Sequence, residues 1–465
     1  MKFRKFGKAL LMSAVSAGLV LGITSCVQSY TVGFLFVTGN VTAGSTGEGY
    51  VTGYKIDHNT GNLIQIHGMP IGSGGSNPGR AVLADGSRFI YVLNRGTDQT
   101  TGGPCTATTT GCNGANIAQF AVGGAGILSF QEKFFSQGMN PFRIIVDGSQ
   151  NYIYVLDAIA PSSAACSAAL GPSVTSCGDV TAFKIDQSTG RLTLVVNAQI
   201  STTTGTSLPY FPVPANPIDM ALSASTLFTL AGQPVPDPNN PGQFLPNTGD
   251  VVFPYAYNSA SGQLTISQNS VQPINAGRGT AIIAPSNGVV YVLDNEPIVI
   301  PDGSSFAAGT YLSQILPFTP GTGGALQAQT GGAVPDDPNQ SNPIMLLPEV
   351  SKSKWIYVAN QGGNTSDTVS QIGLVGYVID PQSHQLTPMA KSPFTDGSGA
   401  GSGPQCLIED PSNQYLYTAN FNDSTVNGKQ IDTNSGALGP LPGKANQAFK
   451  LEGPPAWCLI SGRTS

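Results

Sequence analysis

Short apolar runs rich in aromatic and β-branched residues recur along the whole chain. Each run is bounded by Gly, Asn or Asp, as in FIYVLNRG (89–96) and YLYTAN (415–420). A short, continuously apolar run between turn residues is typical of a strand buried on both faces. The runs lie 55 to 74 residues apart, and their third residues are Phe36, Tyr91, Tyr154, Phe228, Tyr291, Tyr357 and Tyr417. The pattern therefore predicts seven buried strands.

Two further signals accompany these runs. A strand follows each run and enters a turn that ends in Gly-x-Leu or a near variant, as in KIDQSTGRL (184–192) and YNSASGQL (257–264). Asp, Asn, Ser and Gly at these positions supply the chemistry of a hairpin turn. Most runs are also preceded by an Asn-Pro or Gly-Pro start, an apolar strand and a turn, as in NPFRIIVDGS (140–149). Together the signals predict four short strands in each repeat.

Seven repeats of about 60 residues with four strands each are typical of β-propeller blades. The chain finishes with an inner strand, PPAWCLISG (454–462), that no aromatic strand follows. It starts, after a leader, with an aromatic strand that no inner strand precedes. We therefore predict an all-β, seven-bladed β-propeller with four-stranded antiparallel blades over residues 31–465, closed by pairing of the N- and C-terminal strands. A pair of β-sandwiches or a solenoid are the alternatives.

Composition agrees with this fold class. Only 10% of the residues are charged, against about 25% in an average domain. Helix surfaces are usually filled with Glu, Lys and Arg, so this sparse charge argues against a helical protein. The 58 Gly and 35 Pro residues favour a turn-rich chain. A net charge of −6 leaves no basic face for nucleic acid.

The N-terminus has the features of a secretory signal. A basic stretch that ends at Lys8 precedes an uncharged apolar run over residues 9–23, which is short for a transmembrane helix. The run ends in Ile23-Thr24-Ser25-Cys26, which resembles a bacterial lipobox. We therefore expect a signal peptide over 1–25, a lipidated linker over 26–30, and membrane attachment through a lipid on Cys26. Val27 rather than Asp follows the cysteine, which by resemblance to lipoprotein sorting in enteric bacteria favours the outer membrane over retention at the inner one. An ordinary signal peptide is the alternative.

The remaining six cysteines fall into three candidate disulfides. Export to an oxidising compartment favours disulfides, and one loop contains Cys105 and Cys112 while another contains Cys166 and Cys177. No metal site is expected, because no His lies near either pair and neither spacing is CxxC. Cys406 and Cys458 are predicted to lie in adjacent blades, either as a disulfide or as two buried thiols.

The insertions are concentrated on one face of the predicted propeller. The turns after the first and third strands of each blade share one face, here called the turn face, and they are short. The segments after the second and fourth strands share the opposite loop face. Four of these loops are long, at roughly 95–116, 158–179, 231–250 and 294–311. Long loops on a rigid scaffold are typical of binding sites, so we expect binding at the loop face, with neutral drift as the alternative.

One position recurs near the start of each inner strand, two residues after the proline or its equivalent. It is predicted to ring the mouth of the central channel, and it is occupied by Arg80, Arg143, Asp219, Thr280, Met345, Cys406 and Cys458. Arginine presents a bidentate donor fork to carboxylate or phosphate. We therefore take Arg80, Arg143, Asp219 and Thr280 as candidate ligand-binding residues. A structural Arg–Asp bridge between neighbouring blades is the alternative.

The aromatic runs resemble the YVTN-type propeller repeat. The whole pattern is similar to the seven-bladed lactonase family, which includes bacterial 6-phosphogluconolactonases and fungal carboxymuconate cyclases. Family members that act on lactones carry inner-strand histidines in stretches resembling Pro-Arg-His. The present chain has Pro-Gly-Arg (78–80), Pro-Phe-Arg (141–143) and Pro-Gln-Cys (404–406) at those places. The resemblance thus implies the fold over about residues 31–463, while the histidine is lost.

No catalytic residue or cofactor is therefore predicted. His58 and His384 fall in outer hairpin turns, and His67 lies just beyond the first hairpin. Glu349 and Glu409 end inner strands beside turns, where we expect them to be solvated. The sequence favours a lipid-anchored binding or assembly module of the bacterial cell envelope, whose partner is an envelope protein or a small anion. The alternatives are a lactone or sugar-ester hydrolase and a purely structural role.

Overall fold

Seven antiparallel sheets are arranged around a central channel in the computed structural model of the protein. The structure describes residues 30–462, apart from 43, 45, 107–108, 203, 237–243, 268–270, 275, 296–312, 337–341, 350–352, 363–372, 395–400 and 443–447. The predicted signal peptide and Cys26 lie outside the described residues. Among the described residues, no helix is long and apolar enough to cross a membrane.

We number the blades 1 to 7 and name the strands of each blade A to D from the channel outward. Blade 1 comprises Pro455–Gly462, Thr31–Gly39, Glu48–Asp57 and Leu63–Gln65; blade 2 Pro78–Ala84, Phe89–Asn94, Asn116–Val122 and Leu128–Phe134; blade 3 Met139–Val146, Tyr152–Ile159, Gly178–Ile185 and Leu192–Leu194; blade 4 Pro217–Leu222, Thr226–Ala231, Val251–Tyr257 and Leu264–Ile266. Blade 5 comprises Gly279–Ile283, Val290–Asp294, Gln314–Pro320 and Leu326–Ala328; blade 6 Pro343–Pro348, Trp355–Asn360, Gly373–Ile379 and Leu386–Pro388; blade 7 Pro404–Glu409, Tyr415–Asn420, Thr425–Ile431 and Leu438–Pro440. The predicted fold is confirmed.

The outer row of most blades is shared by two short strands. Strand D pairs with the end of strand C near the turn face. In five blades the segment that crosses to the next blade pairs with the start of strand C, through Ile71–Ser76, Phe211–Val213, Gln272–Pro273, Val334–Pro335 and Ala448–Lys450. The crossing segment therefore continues the sheet before it enters the next blade.

Three of the four predicted long loops lie on the loop face and carry structure of their own, while most of the fourth, 294–311, lies outside the described residues. Thr97–Asp98 pairs with Cys112–Asn113, and Pro234–Pro236 pairs with Phe244–Thr248. An eight-residue helix, Ser163–Leu170, follows strand B of blade 3. A short 3-10 helix, Thr322–Gly324, lies instead in the C–D turn of blade 5. The disulfides Cys105–Cys112 and Cys166–Cys177 bridge residues within two of these loops, as the sequence predicted.

Adjacent blades are joined by a tyrosine on one blade and a turn glycine on the next. The hydroxyl of Tyr154 in blade 3 donates to the carbonyl oxygen of Gly262 in blade 4 at 2.9 Å. The same contact joins three other pairs of blades at 2.5 to 2.7 Å: Tyr91 with Gly190, Tyr357 with Gly436, and Tyr417 with Gly61. The aromatic run and the Gly-x-Leu turn are therefore two halves of one interface.

The same glycines also allow close packing. Gly262 has a φ of +69°, and a Cβ atom built on it would lie 2.3 Å from a ring carbon of Tyr152, the first residue of strand B in blade 3. A Cβ atom built on Gly190 would likewise lie 2.8 Å from a ring carbon of Phe89, the first residue of strand B in blade 2. Glycine is required both for the left-handed backbone of the turn and for the aromatic ring that covers it.

The ring closes in blade 1. Strand A, Pro455–Gly462, pairs antiparallel with strand B, Thr31–Gly39, so the two ends of the propeller share one sheet. Cys406 in blade 7 and Cys458 in blade 1 form a disulfide across the neighbouring inner strands, with their Cα atoms 5.9 Å apart. Of the two alternatives left by the sequence, the structure has the disulfide rather than the thiols.

Two carboxyl groups are fully buried side by side in blade 3. Asp157 and Asp179 have no exposed surface. The Ser136 hydroxyl donates to Asp157 Oδ1 at 2.7 Å, and the Thr181 hydroxyl lies 3.3 Å from Asp157 Oδ2. Burial raises the pKa of Asp157 to about 7, and burial together with the nearby Asp157 raises the pKa of Asp179 further above its usual range. The pair therefore holds a proton at neutral pH.

Substitution of Gly262 by Ala should destabilise the protein more than the same change at Gly288. Both glycines have positive φ, which costs an alanine about 1 kcal/mol, but nothing lies within 4 Å of a Cβ at Gly288. Overpacking against Tyr152 should add about 1–3 kcal/mol for Gly262→Ala. Urea unfolding of the two variants measures the difference, and equal losses would show that the inter-blade packing is loose.

The carboxyl pair should make the protein less stable as the pH rises. An unfolded aspartate loses its proton near pH 3.9, whereas the folded pair keeps one up to about pH 7. The unfolded chain therefore binds fewer protons between these values, and the free energy of unfolding falls as pH increases. We expect a lower Tm at pH 8 than at pH 5, and a smaller difference in Asp157→Asn.

Asp186→Asn is the matched control for this prediction. Asp186 lies in an exposed turn, where hydrogen bonds from Ser188 and Thr189 hold its pKa well below the usual range. It stays ionised from pH 5 to pH 8, so its substitution should leave the difference in Tm unchanged. An unaltered pH dependence in Asp157→Asn would contradict a role for the carboxyl pair.

Candidate functional site

The mouth of the channel on the loop face holds a cavity of about 520 Å³. All seven blades contribute to it through the residue that follows the inner-strand proline, or Gly279 in blade 5. These residues are Gly79, Phe142, Ile218, Thr280, Ile344, Gln405 and Ala456. Arg80, Arg143 and Trp457, at the next position along, also reach the cavity. The cavity is therefore built on the rigid inner strands.

A β-bulge fixes which residues share a ring position. In blade 4, Pro217 pairs with Ala231 and Asp219 pairs with Leu230, so one residue of strand A is skipped. The same irregularity is present in the other blades. It places Arg80, Arg143, Asp219, Met345 and Cys406 in one ring, as predicted.

Two of the predicted ring positions are wrong by one residue. Ala281, not Thr280, pairs with Leu293 in the register of this ring. Likewise, Trp457, not Cys458, pairs with Thr38. Blade 5 has no proline at the start of its inner strand, and blade 1 has two, so the position could not be counted reliably from the proline in these two blades. Thr280 lines the cavity one position earlier, with Gly79 and Phe142. Its hydroxyl donates to the Pro343 carbonyl oxygen at 3.0 Å.

Asp219 joins both predicted arginines beneath the cavity. Arg80 from blade 2 binds it through two nitrogens, with Nη1 2.8 Å from Oδ1 and Nη2 3.2 Å from Oδ2. Arg143 Nε from blade 3 lies 3.3 Å from Oδ1, and the Ile282 amide of blade 5 donates to Oδ2 at 3.2 Å. Only 2% of the Asp219 side chain is exposed. One carboxylate therefore connects blades 2 to 5.

The arginine from blade 2 also contacts blade 1. The guanidinium carbon of Arg80 lies 4.6 Å from the centre of the Trp457 ring, the geometry of a cation–π contact. The Arg80 guanidinium group is thus engaged twice, since its nitrogens bind Asp219 and its flat face lies over the Trp457 indole. The structure favours the Arg–Asp bridge for Arg80, and the bridge spans blades 2 and 4 rather than only neighbouring blades.

A third arginine, which the sequence analysis missed, lies beside these two. Arg95 follows strand B of blade 2 and lines the cavity. Its Nε and Nη2 atoms are buried and have no hydrogen-bond partner among the described residues. A signal was present, because Arg95 is the one charged residue that directly follows an aromatic run, in FIYVLNRG (89–96). Its proximity to Arg80 and Arg143 depends on the fold.

Burial affects the charges of two of these arginines. It lowers the pKa of Arg95 to about 10. Burial, followed by repulsion from Arg80 and Arg95, lowers the pKa of Arg143 to about 9 despite attraction to Asp219. Both groups remain positive at pH 7. Three guanidinium groups thus face one carboxylate, which leaves an excess of two positive charges at the mouth.

The cavity lining offers anion-binding groups but no evident general base. Its described residues include no histidine and no glutamate. Among the described residues, no three His, Cys, Asp or Glu side chains form a group that could hold a metal ion. His58 lies on the turn face, where its ring stacks on Tyr30 at 4.1 Å. The arrangement can bind and orient an anion through guanidinium hydrogen bonds.

The two glutamates at the inner-strand ends are not solvated, contrary to expectation. Glu349 and Glu409 are 4% and 3% exposed. Glu349 Oε2 accepts the Lys354 amide at 3.1 Å, and its Oε1 accepts a side-chain N–H of Asn413 in blade 7 at 3.0 Å. Glu349 therefore stabilises a turn and a blade contact on the face opposite the cavity.

Comparison with known proteins gives similarity at the level of structure only. No protein-family model matches the chain, and no curated protein matches it. A candidate 6-phosphogluconolactonase from Bacteroides fragilis is 14% identical with a TM-score of 0.57, covering 92% of this chain and 98% of that one. A similar candidate from Bacteroides uniformis is 12% identical with a TM-score of 0.58, covering 92% and 99%.

A periplasmic gluconolactonase from Pseudomonas aeruginosa is 15% identical with a TM-score of 0.58 and covers 93% of this chain and 99% of that one. Identities this low show a common fold and no more. Coverage is nearly complete in both directions, so the likeness extends over the whole ring of blades. In agreement with the fold predicted from the repeats, the chain is a seven-bladed β-propeller whose fold is similar to that of these three structures.

Proposed function

We propose that this propeller binds a small organic anion in the cavity at the mouth of its channel. The observation that carries the proposal is Arg95, whose guanidinium nitrogens Nε and Nη2 are buried in the cavity wall with no hydrogen-bond partner in the described part of the chain. A buried donor without an acceptor costs about 1–3 kcal/mol, and more if it is charged. A carboxylate or phosphate oxygen would supply the missing acceptor.

The surroundings of Arg95 suit such a ligand. Arg80 and Arg143 keep the potential positive, and Asp219 neutralises only one of the three charges. Phe142, Ile218 and Trp457 offer apolar surface to the carbon skeleton of a ligand. A cavity of about 520 Å³ falls in the range of about 300–1,000 Å³ that small-molecule sites occupy.

The names of the structural neighbours support a proposal for the chemical class of the ligand. Their names refer to lactones of gluconate, and hydrolysis of such a lactone yields a polyhydroxylated carboxylate. We therefore propose a sugar acid, with or without a phosphate, as the ligand. Its carboxylate or phosphate would bind Arg95.

We place this binding outside the cytoplasm, on a protein anchored to the cell envelope through a lipid on Cys26. Three disulfides support an oxidising compartment, and one structural neighbour is periplasmic. The lipobox-like Ile23-Thr24-Ser25-Cys26 supports the anchor and the outer membrane as its location. An envelope protein that docks on the loop face is a further possible partner.

Hydrolysis of a sugar lactone is the second candidate function. Its support is the pair Arg80 and Arg143 at inner-strand positions where the lactonase family carries Pro-Arg-His, together with the fold. If the protein hydrolyses gluconolactone faster than the spontaneous rate, and Arg143→Ala abolishes this activity, then hydrolysis rather than binding alone is the function.

Removal of the Arg95 guanidinium group should weaken binding of the ligand without destabilising the fold. We expect Arg95→Gln to lose a charge-assisted hydrogen bond and to raise the Kd for gluconate or 6-phosphogluconate by about 10- to 100-fold. Its Tm should be unchanged or higher, because a buried unpaired charge is removed. Titration calorimetry and thermal unfolding measure the two effects. Arg191→Gln, at an arginine 65% exposed on the turn face, is the control.

A different result would identify Arg95 as structural. In that case Arg95→Gln would unfold at a lower temperature while its affinity stayed the same. Equal loss of affinity in Arg191→Gln would indicate a general charge effect rather than a site.

Removal of the cavity's carboxylate should have two opposite effects. Asp219→Asn leaves Arg80 and Arg143 without their counter-charge, so the free energy of unfolding should fall by about 3 kcal/mol. The same change raises the positive potential at the mouth, so the affinity for the anion should increase several-fold. Calorimetry on the folded variant tests the second effect, and weaker binding would show that Asp219 contacts the ligand favourably.

A further inference from the structure

The chain enters the propeller at the turn face. The carbonyl oxygen of Tyr30 accepts the backbone N–H of His58, in the C–D turn of blade 1, at 3.0 Å. Strand B then runs through the blade from Thr31 to Gly39. The next residue, Asn40, lines the cavity at the mouth. The start and the end of this one strand therefore mark opposite faces of the molecule.

The segment between Cys26 and Tyr30 is too short to span the blade. Four residue steps extend to about 14 Å at most. Strand B, with eight steps, is about 27 Å long. A lipid on Cys26 can therefore bring the turn face to a membrane, but it cannot bring the mouth there.

Exposed apolar side chains lie on the same face, near the point of entry. Tyr30 is 49% exposed, Ile64 58% and Ile127 53%. Gly126 packs against Phe34, which places the turn that carries Ile127 beside blade 1. Tyrosine and aliphatic side chains are favoured at the boundary between headgroups and acyl chains. We call Tyr30, Ile64 and Ile127 the turn-face patch. Exposed apolar residues such as Val41 and Phe421 also lie at the loop face, so the length of the segment after Cys26 selects the face, and the patch is what that face offers to a bilayer.

We propose that the turn face of blades 1 and 2 rests on the lipid bilayer through this patch, and that the mouth opens away from the membrane. The proposal depends on the lipid anchor of the proposed function. It implies that the anion reaches the Arg95 cavity from the aqueous compartment, with no passage along the membrane surface.

The test compares two exposed apolar positions of blade 1. Ile64 lies near the turn face and Val41 at the loop face, with 58% and 56% exposure. In Ile64→Cys and Val41→Cys the new thiol is labelled with a fluorophore, because the other described cysteines are in disulfides. The full-length acylated protein is then reconstituted in phosphatidylethanolamine–phosphatidylglycerol vesicles that contain a spin-labelled lipid. We expect at least threefold stronger quenching at residue 64 than at residue 41.

Equal quenching at the two positions, or stronger quenching at residue 41, would overturn the orientation. Mass spectrometry of the N-terminal peptide separates this outcome from failure of the anchor itself. An unmodified Cys26, with no protein floating with the vesicles, would overturn the anchor and the orientation with it. An acylated Cys26 with equal quenching would overturn the orientation alone. Circular dichroism of both labelled variants verifies that they are folded.

Discussion

The structure depends on the packing of each blade against the next, which is clearest where a strand-B tyrosine contacts a turn glycine of the following blade. Tyr154 and Gly262 show its two parts, a hydroxyl that donates to a carbonyl oxygen and an aromatic ring that covers a residue with no side chain. The hydroxyl is buried, so an unmade bond would be costly. Four pairs of neighbouring blades share this contact among the described residues, blades 2 and 3, 3 and 4, 6 and 7, and 7 and 1, and there it sets the spacing between the blades. The cavity inherits its geometry from that spacing.

Repetition of one blade gives seven equivalent positions at the mouth, and their chemistry is unequal. Blades 2, 3 and 4 supply Arg80, Arg143 and Asp219, whereas the corresponding residues of blades 5 and 6 are Ala281 and Met345. Among these ring positions, the charges at the mouth therefore come from blades 2 to 4 only.

The fold was predictable from the sequence because its determinants are local. Apolar runs, Asn-Pro starts and Gly-x-Leu turns each specify a strand or a turn within about ten residues, and seven copies reinforce one another. The site was less predictable. The bulge after Gly279 depends on strand pairing, so Thr280 was assigned to the wrong ring. The sequence marked Arg95 as unusual but could not show that two of its nitrogens lack a partner among the described residues, since this depends on the distances between blades. Glu349 was expected in water because its acceptor role involves Asn413, 64 residues away.

Closure of the ring in blade 1 has a consequence for biogenesis. Strand B of that blade, Thr31–Gly39, is among the first parts of the fold to be synthesised, but its partner Pro455–Gly462 is among the last. During export and folding, one edge of an apolar strand therefore stays unpaired until more than 400 further residues have arrived. Unpaired edges of this kind invite aggregation. The Cys406–Cys458 disulfide can form only after Cys458 in this last strand has been synthesised, and it then links blade 7 covalently to blade 1.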